Sequence, residues 1–270
     1  MPIELRNVTY EYPGGTVAVR DVSLTVADGE RVAVIGRNGA GKTTAVKLMN
    51  ALYKPASGAV LVDGVDTRGR TTAQVARTVG YVFQNPDDQI FNKDVITELE
   101  YMPRYLRLPE AELRRRVDCA VELTRIGDYL KKSPYDIPYP IRKFVTIAAV
   151  LATEPKYLIL DEPTAGQDLR GTEILVELLE YLSGSGVGVV TITHDMEFAA
   201  ANFPRIAVMA NARLIADGSA ADVFWDNDTL RGAGIKKPQI GELAERLGLS
   251  GRILFCDEAV AAVVGGRGVS

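Results

Sequence analysis

A short apolar run, Arg31–Ile35, ends in Gly36-Arg37-Asn38-Gly39-Ala40-Gly41-Lys42-Thr43-Thr44 and continues into a helix-like stretch, Thr43–Leu52. No other feature constrains the fold as much as this buried strand turning through glycine straight into a helix. The nine residues fit G-x-x-x-x-G-K-[ST] in the strand–loop–helix context that this pattern requires. Glycine lets the backbone wrap closely around phosphates, while successive N–H groups and the helix N-terminus supply positive potential. The segment therefore predicts a nucleotide-phosphate cradle formed by Gly36 to Thr44. Lys42 is expected to reach the β- and γ-phosphates, and Thr43 to hold Mg²⁺ through its hydroxyl.

A second apolar strand, Leu158-Ile159-Leu160, delivers two adjacent acids, Asp161 and Glu162, ahead of Pro163. Asp161 is placed to bind Mg²⁺ through water, and Glu162 to polarise an attacking water. A third run, Val187–Thr193, has the same character, and Ile174, Leu175, Leu178, Leu179 and Leu182 recur at helical spacing before it. Strands alternating with helices predict an α/β fold whose sheet is covered on both faces. Ahead of this core, Ile3–Tyr10 and Ala18–Val26 read as antiparallel strands around the turn Tyr12-Pro13-Gly14-Gly15. Residues 85–155 read instead as a helical insertion, with Leu113, Val117, Ala120 and Val121 along one helix face. Ile206–Met209 and Arg213–Ala216 predict a closing hairpin. In the tail beyond it, Ile240, Leu243, Ala244 and Leu247 form one face of a helix with Pro238 near its start.

Composition removes competing functions. The 270 residues carry one histidine and two cysteines, which excludes a multi-His metal site and predicts a reduced, cytosolic protein. A net charge of −4 and a pI near 5.3 argue against a nucleic-acid binder driven by bulk charge. The run Arg114-Arg115-Arg116 reads as a solvated helix face. The N-terminus shows no basic-then-apolar signal region, and no run of 18 apolar residues spans a membrane. Attachment through a partner stays open.

Together these motifs resemble the ATP-binding cassette (ABC) ATPases over residues 1–225, in that family's order and spacing. The resemblance implies a P-loop NTPase ABC domain: a mixed core sheet, an N-terminal antiparallel β subdomain, a helical insertion at about 85–155, and a short extension over 226–270. It further implies that Tyr12 stacks on adenine and that Gln84, in Val82-Phe83-Gln84-Asn85-Pro86, is the Q-loop glutamine reaching Mg²⁺ and water. Asp168, in Ala165-Gly166-Gln167-Asp168, matches the D-loop that crosses the dimer interface. His194, 33 residues beyond Asp161, matches the switch histidine at the γ-phosphate. Glu162, His194 and Gln84 are thus the expected catalytic set, with Thr43, Gln84 and Asp161 at the metal.

One motif departs from the family. Where Leu-Ser-Gly-Gly-Gln is expected, the chain reads Ile137-Pro138-Tyr139-Pro140-Ile141. In the family this segment grips the γ-phosphate of ATP held by the opposite subunit. Here Pro138 removes a hydroxyl and an N–H, Pro140 removes another donor, and Tyr139 adds bulk where backbone must approach closely. Pro140 is also well suited to begin a helix at its first position. ABC domains dimerise head to tail, so a homodimer would have two damaged sites. The expectation is a heterodimer with a consensus-signature ATPase, one site being fast and the other slow or inactive.

Gln84-Asn85-Pro86-Asp87-Asp88-Gln89-Ile90-Phe91 resembles the Q-loop region of the energy-coupling factor (ECF) ATPases, which serve importers of vitamins and of transition-metal ions. Met102-Pro103-Arg104-Tyr105-Leu106 and the tail Gly234–Ile240 agree, the tail resembling an extension that helps hold the dimer. The resemblance implies that Asp87 and Asp88 meet arginines of a transmembrane coupling protein, with a substrate-binding membrane protein as a further partner. It places the chain on the cytoplasmic face of the cell membrane, as a peripheral subunit working with ATP and Mg²⁺ and without nucleic acid. The alternatives are a regulatory subunit that binds ATP with little hydrolysis, and a soluble non-transport ABC ATPase.

Overall fold

A computed structural model describes residues 1–266. The strands are β1 (Ile3–Glu11), β2 (Val17–Val26), β3 (Arg31–Ile35), β4 (Ser57–Val62), β5 (Val65–Asp66), β6 (Val79–Val82), β7 (Tyr157–Asp161), β8 (Gly188–Ile192), β9 (Arg205–Ala210) and β10 (Arg213–Ser219). They form an antiparallel four-stranded sheet, β2-β1-β4-β5, and a six-stranded sheet, β10-β9-β3-β8-β7-β6. Within the second sheet β9, β3, β8, β7 and β6 run parallel and only β10 is antiparallel. This is the mixed core sheet expected from the sequence.

Side chains of a strand alternate between faces, and here the alternation divides two cores. Val32 and Val34 of β3 face a cluster shared with the four-stranded sheet and α1 (Lys42–Met49). Ala33 and Ile35 face the other cluster, with the helices of the insertion and the helix Leu169–Gly184. A sheet buried on both sides explains why β3, β7 and β8 read as unbroken apolar runs.

The helices after α1 are α2 (Thr72–Val75), α3 (Val95–Tyr105), α4 (Glu110–Thr124), α5 (Tyr139–Leu151), α6 (Leu169–Gly184), α7 (Met196–Asn202), α8 (Ala220–Phe224), α9 (Asn227–Ala233), α10 (Gln239–Arg246) and α11 (Cys256–Gly266). The expected insertion is built from α3, α4 and α5, with Leu113, Val117 and Ala120 of α4 buried. Arg114 and Arg115 lie on the outer face of α4, pairing with Glu110, Glu112 and Glu154, whereas Arg116 is partly buried, pairing with Glu112 and donating to the Thr153 carbonyl. Helix α1 stops earlier than its sequence pattern suggests, because Asn50 caps it and Ala51 turns left-handed at φ 62°. Strands β4, β5 and β6, which the periodicity did not mark, complete the two sheets.

The tail folds back on the body. Trp225 donates from its indole N–H to the Ile253 carbonyl, and the Lys237 ammonium sits 4.0 Å from the Trp225 ring centroid. The backbone N–H of Gln239 donates to Glu197 in α7 at 2.8 Å. Of the apolar face foreseen for this helix, Ala244 is buried, whereas Leu243 and Leu247 are 50% and 61% exposed. Residues 267–270 of the expected extension lie outside the described residues.

Candidate functional site

Val34 of β3 and Asp161 of β7 both align in register with Ile192 of β8. Three chain segments therefore leave the same edge of the sheet side by side: the glycine loop, the Asp161–Glu162 turn and the loop carrying His194. Clefts at the carboxyl ends of parallel strands are the usual ligand sites of α/β sheets. Here the cleft is a cavity of about 340 Å³ lined by Tyr12, Asn38 to Thr44, Gln84, Asp161, Glu162 and His194, with Thr16–Ala18 and Ile192 completing the wall.

The loop cannot be built without its glycines. A Cβ on Gly36 (φ 147°) would lie 2.2 Å from the Met209 carbonyl oxygen, and one on Gly41 (φ 100°) 2.1 Å from that of Ala18. The Lys42 ammonium is buried and donates to the carbonyls of Gly36 at 2.7 Å and Arg37 at 3.1 Å. Gly36 and Arg37 thus serve Lys42 through their carbonyls, and neither is among the residues lining the cavity. The Arg37 side chain lies instead beside Gly234 of the tail, its Cδ 3.4 Å from where a Cβ would be. Tyr12 is exposed, edge-on to Tyr10 and Tyr53, and its hydroxyl shares a 2.8 Å hydrogen bond with Thr44 Oγ1.

Asp161 and Glu162 are both buried. Asp161 Oδ2 accepts from the Tyr81 hydroxyl at 2.7 Å, while Oδ1 is buried with no hydrogen-bond partner. Glu162 stands at φ 52°, and its Oε2 accepts from the His194 backbone N–H at 3.2 Å. His194 Nε2 approaches Glu162 Oε1 at 3.1 Å without hydrogen-bond alignment and lies 3.5 Å from Lys42 Nζ. Burial pushes both carboxyls above the usual carboxylate range and pushes Lys42 below the usual lysine range. Burial, and after it Lys42, also pushes His194 below the usual imidazole range. An unpartnered buried carboxylate oxygen beside the Thr43 hydroxyl's loop suits a divalent cation carried in with phosphates.

The sequence reading missed three polar supports. Tyr81, from the unmarked strand β6, binds Asp161. Gln89 splints the Q-loop, accepting from Phe83 N–H at 2.9 Å and donating to the Tyr81 carbonyl at 3.3 Å. Lys143, buried in α5, donates to the carbonyls of Glu162 and Ala165. Tyr81 and Lys143 are joined to the site by pairing across distant elements, which no local pattern announces, whereas Gln89 closes the loop onto residues six and eight positions before it. Gln84 itself is exposed at the cavity rim.

At the divergent segment, Pro138 is the extended N-cap of α5 with no side-chain hydrogen bond, and Tyr139 is its first residue. Pro140 therefore occupies the second helical position, one later than expected, because the extended Pro138 already supplies the cap. The Arg142 N–H is consumed by the Pro138 carbonyl, leaving only Tyr139 and Ile141 with first-turn N–H groups. Gln167 of the D-loop donates to the Pro140 carbonyl at 3.1 Å. Asp168 caps α6 by accepting from Gly171 N–H at 2.8 Å. Asp87 pairs with Arg142 of the same chain at 2.6 Å, and Asp88 is exposed.

A family model described as "ABC transporter" matches residues 19–165. The energy-coupling factor transporter ATP-binding protein EcfA of Methanothermobacter thermautotrophicus is 38% identical over 251 residues, covering 92% of this chain and 81% of that protein. Among solved structures, cbiO1 of Clostridium perfringens, part of the ABC transporter complex cbiONQ, superposes with a TM-score of 0.77 at 33% identity over 90% of this chain and 98% of that one. A dimeric ATP-binding cassette in a post-hydrolysis state with ADP and Pi superposes with a TM-score of 0.74 at 25% identity, over 81% of this chain and 98% of that chain. With a glycine-built cradle, two buried acids and a histidine on one cavity, the chain belongs to the ABC transporter ATP-binding family: it is an ATPase that uses ATP with Mg²⁺, the ATP-binding subunit of an ABC transporter homologous to the energy-coupling factor ATPases.

Proposed function

We propose that this chain is one of two non-equivalent ATPases of an ECF-type importer for a vitamin or a transition-metal ion. Its partners are a second ABC ATPase with an intact Leu-Ser-Gly-Gly-Gln segment, a transmembrane coupling protein and a substrate-binding membrane protein. The observation that carries this reading is the contrast within one chain between a complete phosphate cradle and an α5 N-terminus poor in N–H donors. No helix among the described residues is long and apolar enough to cross a membrane, which fits a peripheral subunit at the cytoplasmic face held by its partners.

In this reading Tyr12 stacks on adenine, the N–H groups of Asn38 to Thr44 and the Lys42 ammonium bind the phosphates, and Asp161 with Thr43 and Gln84 holds the metal. Thr43, Asp161 and Gln84 would hold Mg²⁺, which would supply positive charge against the charge that grows on the phosphates during transfer. Glu162 draws the proton from the attacking water, a task favoured by its raised pKa. His194 contacts the γ-phosphate. Asp168, on the D-loop, lies at the dimer interface, and Ile137–Ile141 form the weak half of the second site. Residues 1–225 are the cassette, with its helical subdomain at about 85–155. Residues 226–270 are a dimer contact, a role supported by the exposed Leu243 and Leu247. Asp87 and Asp88 meet arginines of the coupling protein, and for Asp87 such an arginine competes with Arg142.

Affinity capture of the tagged full chain from detergent-solubilised membranes tests the assembly. The expected result is stoichiometric recovery of a consensus-signature ATPase and a multi-span protein. Recovery of the chain as a homodimer free of membrane proteins contradicts it.

A further inference from the structure

Tyr81 belongs to β6, all four residues of which are buried, and it stands level with Ile159 of β7 in the parallel register. Its ring is fixed edge-on against Phe83 with centroids 5.0 Å apart, and its carbonyl is held by Gln89 of the Q-loop. From that anchored position the hydroxyl reaches across to Asp161 Oδ2 at 2.7 Å, with both side chains buried. The other carboxylate oxygen, Oδ1, is left without a partner.

The terminal torsion of an aspartate is broad and roughly two-fold. A carboxylate without a partner therefore swivels, and its two oxygens exchange places. A phenol hydroxyl on an immobile ring removes that freedom by engaging one oxygen and leaving the other for the metal. This is the task that outer partners of metal-holding groups perform, and their loss commonly weakens metal affinity or activity about 10- to 100-fold.

We infer that Tyr81 is a positioning residue for Mg²⁺: its hydroxyl fixes the Asp161 carboxylate so that one oxygen serves the metal–nucleotide complex. The inference rests on the reading of Asp161 as a metal-holding residue. It also ties the metal to the Q-loop, because the residue that orients Asp161 is the one whose carbonyl Gln89 binds.

The test uses the full chain with a non-hydrolysable ATP analogue and Mn²⁺ as the probe, followed by electron paramagnetic resonance. Tyr81→Phe removes one oxygen and keeps the ring on Phe83, so the thermal midpoint and the metal-free nucleotide affinity monitor the fold. Mn²⁺ affinity is expected to fall about 10-fold, with a changed Mn²⁺ line shape and metal-free nucleotide affinity within about twofold of the parent. Unchanged Mn²⁺ affinity in Tyr81→Phe, alongside a large loss in Asp161→Asn, overturns the role of Tyr81 alone. Unchanged affinity in Asp161→Asn overturns the metal reading of Asp161 and the inference with it. Equal losses of metal-free and metal-bound nucleotide affinity in Tyr81→Phe identify a structural role and also overturn it.

Discussion

The Lys143 ammonium, 3% exposed, donates to the backbone carbonyl of Glu162 at 2.6 Å and to that of Ala165 at 2.9 Å. A lysine of the helix that begins within the divergent segment thus braces the turn bearing this chain's own candidate base. Glu162 is left-handed, a conformation costing a non-glycine residue on the order of 1 kcal/mol, and the two hydrogen bonds hold it there. Lys143→Met keeps the buried volume but orphans both carbonyls. It is expected to lower kcat of the assembled transporter about 10-fold or more, with the KM for ATP little changed, and Lys143→Gln should recover part of the loss. Steady-state kinetics of the purified complex decide this.

The buried acids exact a stability cost in the nucleotide-free chain. Burial raises the folded-state pKa of Asp161 and Glu162, so the folded protein binds these protons more tightly than the unfolded chain does. Their stabilisation is complete below the ordinary carboxylate range and is lost as pH rises through the raised values. Asp161→Asn and Glu162→Gln should therefore raise the thermal midpoint at pH 7, by roughly 2–4 °C per kcal/mol in a chain of this size. The gain should shrink toward pH 4. Scanning calorimetry at both pH values checks it.

His194 is the single imidazole of the chain, so its ring protons can be followed without assignment. Burial and then Lys42 depress its pKa, and its titration midpoint by proton NMR is expected below the ordinary imidazole range. The linkage has the opposite sign to that of the acids. His194 favours folding above its unfolded pKa, and this contribution is lost as pH falls. A midpoint above the ordinary range would mean that it pairs with Glu162 as a cation.

The glycines of the loop separate steric need from conformational preference. Gly36→Ala and Gly41→Ala each drive a Cβ into a backbone carbonyl, whereas Gly39 (φ 78°) has open space around it and only the conformational penalty. Nucleotide affinity should fall more than about 100-fold in the first two variants and less than about 10-fold in Gly39→Ala. Equilibrium titration with a fluorescent ATP analogue measures all three.

Much of the site was legible because its chemistry is local. Lys42, Thr43, Asp161 and Glu162 each lie within a few residues of the strand end that positions them, so a motif and an apolar run suffice to find them. Tyr81 and Lys143 were not legible, since each acts by pairing with a residue brought near only by sheet order or helix docking, while Gln89 bonds to Phe83 and Tyr81 through a loop conformation that no periodicity marks. β6 escaped notice because it is only four residues long and Gly80 interrupts its apolar run, unlike β3, β7 and β8. The tail showed the converse. Its helix α10 forms where Ile240, Leu243 and Ala244 predict, but Leu243 and Leu247 remain largely exposed.

The segment Pro138-Tyr139-Pro140 decides whether the chain needs a partner, and the steady-state ATPase rate of the purified chain alone measures that need. Each lost charge-assisted hydrogen bond to phosphate costs about 1.5–3 kcal/mol, so losing two lowers the rate roughly 10²- to 10⁴-fold. The chain alone should turn over at least about 100-fold more slowly than the same chain mixed with a consensus-signature partner. The variant Pro138→Ser/Tyr139→Gly/Pro140→Gly should hydrolyse ATP without that partner. Turnover by the unaltered chain alone, as fast as the mixture, would contradict the account.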